Sequence, residues 1–270
     1  MNIDLHTHTR FSDGSLSPEE LLQRAENNRI EMLSITDHDT VAAYANLPPT
    51  SVRIIPGIEF STWWKKTGIH IVGLNINLDS EVLESAVARQ KVARQQRAEA
   101  IAEKLEKKGI SNSLQGATAL AGNDNIGRPH FAQFLVDSGF CKTIDEAFSK
   151  YLSTKKGADI KTFWPPLCEI VEWINSAQGI AVLAHPLTYK FSHMKLSECL
   201  DDFIAAGGQA MEVVSGRQQD WQTRDLARLS VKKNLLASVG SDFHTANNEW
   251  SDLGRFPALP KDCTPVWEKF

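Results

Sequence analysis

The stretch Asp4-Leu5-His6-Thr7-His8-Thr9, close to the start of the chain, decides the fold. The apolar run Ile3–Leu5 predicts a first β-strand, and two histidines lie where it ends, with Asp13 five residues after His8. Side chains two residues apart on extended backbone point to the same side, so both imidazoles can reach one metal ion. One His-x-His pair is a weak signal, because motifs this short also arise by chance.

Metal-capable side chains recur at or just past the ends of further predicted strands. These strands are Met32–Ile35, Val52–Ile55, Ile69–Leu74, Ile180–Ala184, Ala210–Val214 and Leu235–Val239. The side chains beside them are His38, Glu59, His70, His185, Asp242 and His244. Loops that follow parallel strands converge at one end of an α/β fold. Imidazoles and carboxylates gathered there indicate a site for divalent cations such as Mn²⁺, Zn²⁺ or Fe²⁺, since separate burial would cost roughly 1–3 kcal/mol per unpaired group.

Helical patterns alternate with these strands, which favours an α/β fold with a parallel sheet or a barrel-like closure. The first helix, 16–28, begins at Ser17-Pro18-Glu19-Glu20, a sequence that supplies a cap, an early proline and early acids. Later helices are predicted at 167–178, 196–206 and 218–233.

The middle of the chain shows almost only helical periodicity, with helices predicted at 81–108, 129–138 and 143–152. We therefore predict an α/β body formed by residues 1–79 and 153–270. Residues 80–152 would form a helical insertion that covers the mouth of the site.

The net charge is −4, from 29 basic and 33 acidic side chains, so no strong positive field indicates a long duplex nucleic acid as partner. A nucleic-acid ligand should be short and held locally. The cysteines Cys141, Cys168, Cys199 and Cys263 have no C-x-x-C spacing, which favours reduced thiols. We find no secretory signal and no apolar stretch of the roughly 18 residues needed to span a bilayer, and therefore expect a cytoplasmic protein without a membrane partner.

The long predicted helix carries many basic residues, from Arg89 through Arg94 and Arg97 to Lys108, interleaved with glutamates. This pattern is more typical of a solvated face with spaced ion pairs than of a phosphate-binding ridge. Trp63 and Trp64 follow a predicted strand end, where they could stack a base or pack against the core. His193 alone of the histidines outside the helical insertion lies away from the predicted strand ends, and we assign it to the surface.

Together these blocks resemble the PHP (polymerase and histidinol phosphatase) family of metal-dependent phosphoesterases. The matching segments are D-L-H-T-H-T, F-S-D-G-S, I-T-D-H-D-T, I-P-G-I-E-F-S, I-H-I-V-G-L, L-A-H-P and G-S-D-F-H. The resemblance implies a distorted (β/α)7 barrel of PHP type with a helical insertion. It also implies three divalent metal ions at the carboxyl-terminal rim of the barrel.

The same resemblance implies which side chains hold each ion. The first would be held by His6, His8, Glu59 and Asp242, and the second by Glu59, His70 and His185. The third would be held by Asp13, His38 and His244, with Asp13 standing where some family members have histidine, which leaves the occupancy of this site open. Asp37 and Asp39 are expected to orient ligands rather than to bind metal.

Within the family, the chain looks most like the bacterial YciV- or TrpH-like subgroup, on the segments 127–132, 147–152 and 164–167. Proteins of this kind resemble nucleoside 3′,5′-bisphosphate phosphatases and 5′→3′ exonucleases on short RNA. Arg128, His130 and Lys156 would then bind substrate phosphate, although Asp159 stands where the subgroup tends to have tyrosine. Arg217 has two alternative roles that the sequence leaves equally open: a further phosphate contact or a surface-loop arginine.

These observations predict a metal-dependent phosphoesterase in which Mn²⁺ is favoured and Fe²⁺ or Zn²⁺ is also accepted. His185, His244 or Asp242 would donate the proton to the leaving oxygen. The expected substrate is a small nucleotide, with short single-stranded RNA as an extension. Alternatives are a histidinol-phosphate-type phosphatase, a C–N amidohydrolase and a non-catalytic PHP module. The sequence leaves the oligomeric state open.

Overall fold

The structure is a computed structural model that describes residues 1–153, 163–246 and 252–270. This part of the chain contains eight β-strands. In chain order they are β1 (Ile3–Asp4), β2 (Met32–Leu33), β3 (Arg53–Ile54), β4 (Gly57–Trp64), β5 (Thr67–Leu74), β6 (Ile180–Leu183), β7 (Ala210–Ser215) and β8 (Leu236–Gly240).

The strands form two sheets that join into a closed barrel. Strands β1, β2 and β3 are parallel, and the second sheet has the order β4-β5-β6-β7-β8. Backbone bridges close the gaps, one between Thr7 and Phe243 and one between His38 and Glu59. Strands β3 and β4 are separated only by Ile55-Pro56. If they are counted as one interrupted strand, the barrel has seven strands. The predicted distorted (β/α)7 barrel is therefore confirmed.

The distortion lies at the hairpin formed by β4 and β5, which pair antiparallel over their full length of eight residues. The sequence predicts the strand Val52–Ile55 and does not predict β4, because Pro56-Gly57 is typical of a loop. Glu59 therefore lies inside a strand rather than after one, and His70 lies in the middle of β5. Ser61 pairs with His70, so Glu59 and His70 share one face of the hairpin.

The described residues also contain eight α-helices. They are α1 (Pro18–Asn27), α2 (Glu81–Glu106), α3 (Ser113–Ala121), α4 (Arg128–Asp137), α5 (Ile144–Lys150), α6 (Leu167–Ser176), α7 (His193–Ala205) and α8 (Asp220–Lys232). The predicted cap of α1 is present, with the Ser17 hydroxyl accepting the Glu20 N–H at 3.1 Å. Within the described ranges, no helix combines the length and the apolar character required to cross a membrane.

Helix α3 was not predicted, because its sequence contains Gly116 and begins at Ser113. The structure explains the glycine. A Cβ atom at position 116 would lie 2.0 Å from the Phe134 ring, so only glycine lets α3 approach α4 this closely. Tertiary packing thus outweighs the low helix propensity of glycine at this position.

Two apolar clusters show how the middle helices relate to the barrel. The barrel core includes Leu83 and Ala86 from the first turns of α2. A second cluster, which includes Leu105, Phe131 and Leu135, lies within α2–α5 and the connections between them. The division into a body and an insertion at residues 80 and 152 stays a prediction. His193 is exposed at the start of α7, as predicted.

Candidate metal centre

Glu59 lies at the centre of a cluster of imidazoles at one end of the barrel. Its side chain is buried, and its Oε1 lies 2.8 Å from His70 Nδ1 and 2.8 Å from His185 Nε2. Its Oε2 lies 2.9 Å from His38 Nδ1 and 3.3 Å from His6 Nε2. The same Oε2 lies 3.4 Å from His8 Nε2, so one carboxylate contacts five imidazoles from four segments of the chain.

His6 and His8 face the same point, as the spacing on extended backbone predicted. Their Nε2 atoms are 3.1 Å apart, and Asp242 Oδ1 lies 3.5 Å from His6 Nε2 and 3.3 Å from His8 Nε2. Asp242 has φ 54° and His185 has φ 26°, which are unusual values for residues other than glycine. Backbone strain of this kind concentrates at functional sites, and here it lies where two strands end.

Asp13 lies close to three histidines. Its Oδ1 lies 3.4 Å from His244 Nε2 and 3.8 Å from His8 Nδ1, and its Oδ2 lies 3.7 Å from His38 Nε2. The structure therefore brings together all nine side chains predicted to hold metal. We call them the nine-residue cluster: His6, His8, Asp13, His38, Glu59, His70, His185, Asp242 and His244.

The chemistry of the cluster fits divalent cations. Among the described residues, three of its buried atoms make no contact with hydrogen-bond geometry: Asp13 Oδ1, His38 Nδ1 and Glu59 Oε2, of which the last two lie 2.9 Å apart without forming a hydrogen bond. A buried polar atom without a partner costs roughly 1–3 kcal/mol, and bound cations would satisfy these atoms. A mixed set of imidazole and carboxylate donors suits Mn²⁺, Fe²⁺ and Zn²⁺, so the side chains present fit divalent metal ions.

The electrostatics of the cluster ionise its carboxylates but divide its imidazoles. The pKa values of His6, His38, His185 and His244 are raised because nearby carboxylates outweigh burial, whereas burial lowers those of His8 and His70. Metal binding would displace protons from the four raised histidines.

Burial alone would raise the pKa of Glu59, but His38, His70 and His6 outweigh it and hold this pKa well below its ordinary value. The same balance, with His6 and His244 as the main partners, keeps the pKa of Asp242 low. Burial and the neighbouring His244 lower the pKa of His8 to about 3. The two carboxylates are therefore ionised, and His8 is neutral, near neutral pH.

Glu212 is a buried partner of the cluster that sequence reasoning missed. It lies in β7, with Oε1 2.5 Å from His6 Nδ1 and with Oε2 accepting the His185 backbone N–H at 2.5 Å. A carboxylate on Nδ1 fixes the tautomer and orientation of the ring, which leaves His6 Nε2 directed at the cluster. The available signal was a single glutamate inside the buried apolar strand Ala210–Ser215.

Asp37 and Asp39 orient neighbouring segments. Asp37 accepts hydrogen bonds from the backbone and hydroxyl of Thr9 and from the Ser12 hydroxyl. Asp39 accepts the Ser61 N–H at 2.7 Å and pairs with Arg94. These contacts agree with the predicted orienting role.

Asp13, His38 and His70 of the cluster line a cavity of about 360 Å³. Its lining also includes Arg94, Arg97 and Arg128, which we call the arginine wall. Arg94 is only 6% exposed and lies 2.6 Å from Asp39. The guanidinium carbons of Arg94 and Arg97 lie 5.5 and 5.4 Å from the Trp164 ring centre. The interpretation of the α2 arginines as a solvated face is therefore wrong for these two. Their spacing of three places them on the helix face that packs against the barrel.

The other predicted substrate residues have different surroundings. Arg128 lies in the arginine wall, whereas His130 Nδ1 accepts the Gly127 N–H at 2.9 Å and thereby caps α4. Arg217 is exposed just after β7 and is not among the residues that line this cavity. Lys156 lies outside the described residues. The roles of these four residues in binding phosphate stay predictions.

The two tryptophans of β4 make packing contacts. Trp63 Nε1 donates to the Trp164 backbone oxygen at 2.9 Å, and Trp64 Nε1 donates to the Asp202 carboxylate at 2.7 Å. Trp64 is buried within the barrel core. Of the two alternatives left open by the sequence, these contacts favour packing.

Comparisons with known proteins agree with this geometry. The model of the PHP domain matches residues 4–97. The chain is 40% identical to the 5′-3′ exoribonuclease Rnm of Escherichia coli, over 98% of this chain and 92% of that protein. It is 36% identical to a 3′,5′-nucleoside bisphosphate phosphatase of Chromobacterium violaceum, over 99% and 96%. The structure of an amidohydrolase from the same species, with bound sulfate, superposes with a TM-score of 0.90 at 35% identity, covering 100% of this chain and 95% of that one. The chain therefore belongs to the PHP family.

Proposed function

We propose that this protein is a divalent-metal-dependent phosphoesterase that removes the 3′-phosphate of nucleoside 3′,5′-bisphosphates. It also trims short 5′-phosphorylated oligoribonucleotides from the 5′ end. The observation that carries the proposal is that the arginine wall and members of the nine-residue cluster line one cavity. The two named relatives support it, because one acts on bisphosphates and the other on RNA.

Both activities break the same bond. Water attacks phosphorus, the bond between phosphorus and the 3′-oxygen breaks, and that oxygen takes a proton. The product that keeps the phosphorus is free phosphate from a bisphosphate and the shortened 5′-phosphorylated chain from RNA. A single metal centre that binds the first nucleotide in the same way therefore serves both substrates.

Three metal ions are proposed for the cluster, with Mn²⁺ preferred. His6, His8, Glu59 and Asp242 would hold the first ion, Glu59, His70 and His185 the second, and Asp13, His38 and His244 the third. Ions in such a site activate water and neutralise charge on the phosphate and the departing oxygen when bound. The protein contributes their placement, through the central position of Glu59 and the orientation that Glu212 gives to His6.

The arginine wall is proposed to bind the 5′-phosphate, which is retained in the product. Arg94 is paired with Asp39, but Arg97 and Arg128 have no carboxylate partner among the described residues. Burial and the charges of Arg128 and Arg94 lower the pKa of Arg97, which shows that the three cations repel one another. A phosphate between them would relieve this repulsion and accept charge-assisted hydrogen bonds.

His185 and His244 are proposed as the groups that pass a proton to the 3′-oxygen, directly or through water. His244 acts in this role only where it does not hold the third ion, because a metal-bound imidazole nitrogen carries no proton. The His244 ring is about one-third exposed, so it can reach a ligand in the mouth of the site. Asp242 contacts His6 and His8, and we assign it mainly to holding metal.

As part of this proposal we place the enzyme in the cytoplasm. Cys141, Cys168, Cys199 and Cys263 are free thiols, which suits a reducing compartment. Nucleotides and RNA ends are also found there.

The test is phosphate release from adenosine 3′,5′-bisphosphate by protein purified with Mn²⁺, with histidinol phosphate assayed in parallel and Asp242→Ala as the control. We expect release from the bisphosphate and none in the control. Turnover of histidinol phosphate alone would keep the metal centre but overturn the proposed substrate. Release from neither substrate would contradict the phosphatase proposal.

A further inference from the structure

A second cavity, of about 250 Å³, is lined by both partners of the Arg94–Asp39 ion pair. Arg94 also lines the first cavity, so the two cavities are neighbours. The second one has an apolar part with Phe11 and Val87 and a polar rim that includes Lys91. We call it the Phe11 cavity. Nothing in the proposed hydrolysis of a bisphosphate uses it.

The position of Phe11 relative to the nine-residue cluster is fixed by one amide. Asn125 Nδ2 donates to the Phe11 backbone oxygen at 3.0 Å and to the His38 backbone oxygen at 2.7 Å. Phe11 also lies two residues before Asp13. Although it adjoins this buried polar cluster, the Phe11 side chain is 37% exposed. An exposed aromatic ring at the edge of a phosphoesterase site is suited to stacking a nucleobase.

The Phe11 cavity continues into a third, shallower groove along the outer face of α2. The two share Lys91 and Asp124, and the groove runs past Val92 and Gln96. Lys91 and Asp124 form an ion pair at 2.8 Å, but both side chains are more than 60% exposed. Such a pair contributes little stability, so Lys91 can exchange its partner for a phosphate group. The three cavities thus share lining residues in sequence outward from the nine-residue cluster, and the outer groove also carries the carboxylate of Glu99.

We propose that the Phe11 cavity binds the base of the second nucleotide of an RNA substrate, and that the following nucleotides lie along the outer face of α2. This inference rests on the proposed function. A bisphosphate ends at its 3′-phosphate, so a base beyond the scissile phosphate exists only in RNA. Base stacking and a cation on the rim provide binding without sequence preference, as an exonuclease that trims successive nucleotides requires.

The experiment compares three substrates with Mn²⁺-loaded protein: adenosine 3′,5′-bisphosphate, the 5′-phosphorylated diadenylate, and the same diadenylate lacking the second base. In the wild type, removal of the second base should lower kcat/KM by roughly tenfold or more. Phe11→Ala should lower kcat/KM for the intact diadenylate relative to the bisphosphate by a similar factor. It should no longer distinguish the intact from the abasic diadenylate.

Two further variants control the result. Phe140 is another exposed phenylalanine, at 39%, and it lines none of the three cavities, so Phe140→Ala should behave like the wild type. Phe11→Trp keeps a stacking surface and should retain the preference for the intact diadenylate. Thermal melting of each variant checks the fold.

Each alternative outcome has a definite meaning. If Phe11→Ala lowers kcat/KM equally for all three substrates, the ring serves the first nucleotide or the cluster, and the inference is wrong. Equal values for the wild type and Phe11→Ala, with all substrates hydrolysed, also overturn it. If the wild type hydrolyses none of the three, the proposed function itself fails, which is a separate result.

The path along α2 has its own test on longer RNA. Lys91→Ala should weaken binding of a 5′-phosphorylated hexaribonucleotide and reduce its dependence on salt by about one phosphate contact. Lys107→Ala is the matched control, because Lys107 is an exposed lysine of the same region that pairs with Glu103. An unchanged salt dependence in Lys91→Ala would show that RNA does not follow α2.

Discussion

The nine-residue cluster and the arginine wall both contribute to the lining of one cavity but are built differently. The cluster comes from the strands of the barrel and the short segments after them, and Glu59, His6 and His8 are fully buried in it. The arginine wall comes from α2 and α4, which are joined through the separate apolar cluster of the middle helices. Under the proposed function, bond breaking and substrate selection would be carried by separate parts of the fold.

Two of the contacts between these parts reach the segment that carries His38. Arg94 pairs with Asp39, which directly follows His38, and Asn125 donates to the His38 backbone oxygen. Both contacts end on the same segment of the barrel. A change in the cluster should therefore abolish the reaction, whereas a change in the wall should alter which substrates react.

The largest effect is expected from Glu59→Gln. Loss of the central negative charge among five imidazoles should lower hydrolysis of all substrates by roughly two to three orders of magnitude or more. Metal content per chain, measured by elemental analysis, should fall as well. Glu172→Gln changes an exposed glutamate of α6 and is the control. Full metal content and activity in Glu59→Gln would show that Glu59 is not central.

Arg97→Ala and Arg128→Ala should alter which substrates react, rather than lower hydrolysis of all of them. Loss of one charge-assisted hydrogen bond to the 5′-phosphate, at roughly 1.5–3 kcal/mol, should raise KM for the bisphosphate about 10–100-fold with metal content unchanged. Adenosine 3′-monophosphate, which lacks the 5′-phosphate, should be hydrolysed as by the wild type. Arg89→Ala is the control, because Arg89 pairs with Glu169 and is not among the residues lining the cavity. Equal losses of kcat/KM on the bisphosphate and the monophosphate would contradict separate roles for the cluster and the arginine wall.

Glu212→Gln tests the support of the cluster. His6 would lose the carboxylate that fixes its ring, and metal affinity should fall by roughly tenfold, since outer partners of metal ligands typically contribute 10–100-fold. Titration with Mn²⁺, followed by calorimetry, measures the change. Activity should recover at high Mn²⁺ concentration. If activity is lost at saturating Mn²⁺, Glu212 acts in the reaction itself rather than by positioning His6.

The smallest effect is expected from Asn125→Ala, which removes one contact between the two parts. Two backbone oxygens lose a donor, which should cost about 1–2 kcal/mol and lower the Tm by a few degrees. Gln133→Ala, which removes an exposed contact to Asp137 within α4, should leave the Tm within about one degree. A Tm equal to that of the wild type would indicate that Asn125 does not connect the parts.

The sequence was informative where local backbone geometry determines side-chain position. His6 and His8 on one strand end face one point because the spacing of two residues has only one outcome on extended backbone. The sequence was less informative at the hairpin. Because Pro56-Gly57 is typical of a loop, β4 is not predicted, and Glu59 is predicted after a strand although it lies inside one.

The arginine wall and Glu212 depend on tertiary contacts that local patterns do not contain. Arg94 and Arg97 belong to a run of charges that looks like a solvated helix, and only the packing of α2 on the barrel separates them from exposed neighbours such as Lys91. Glu212 stood out only as one charged residue in an apolar strand. Its partners lie 206 and 27 residues away in the chain.

The most direct test of the separation of roles compares kcat/KM for adenosine 3′,5′-bisphosphate with kcat/KM for adenosine 3′-monophosphate, in the wild type and in Arg97→Ala. We predict that the wild type prefers the bisphosphate by at least tenfold and that Arg97→Ala loses most of this preference while its rate on the monophosphate is unchanged. A wild-type enzyme with no preference, or a variant that keeps the full preference, would contradict the assignment of the 5′-phosphate to the arginine wall.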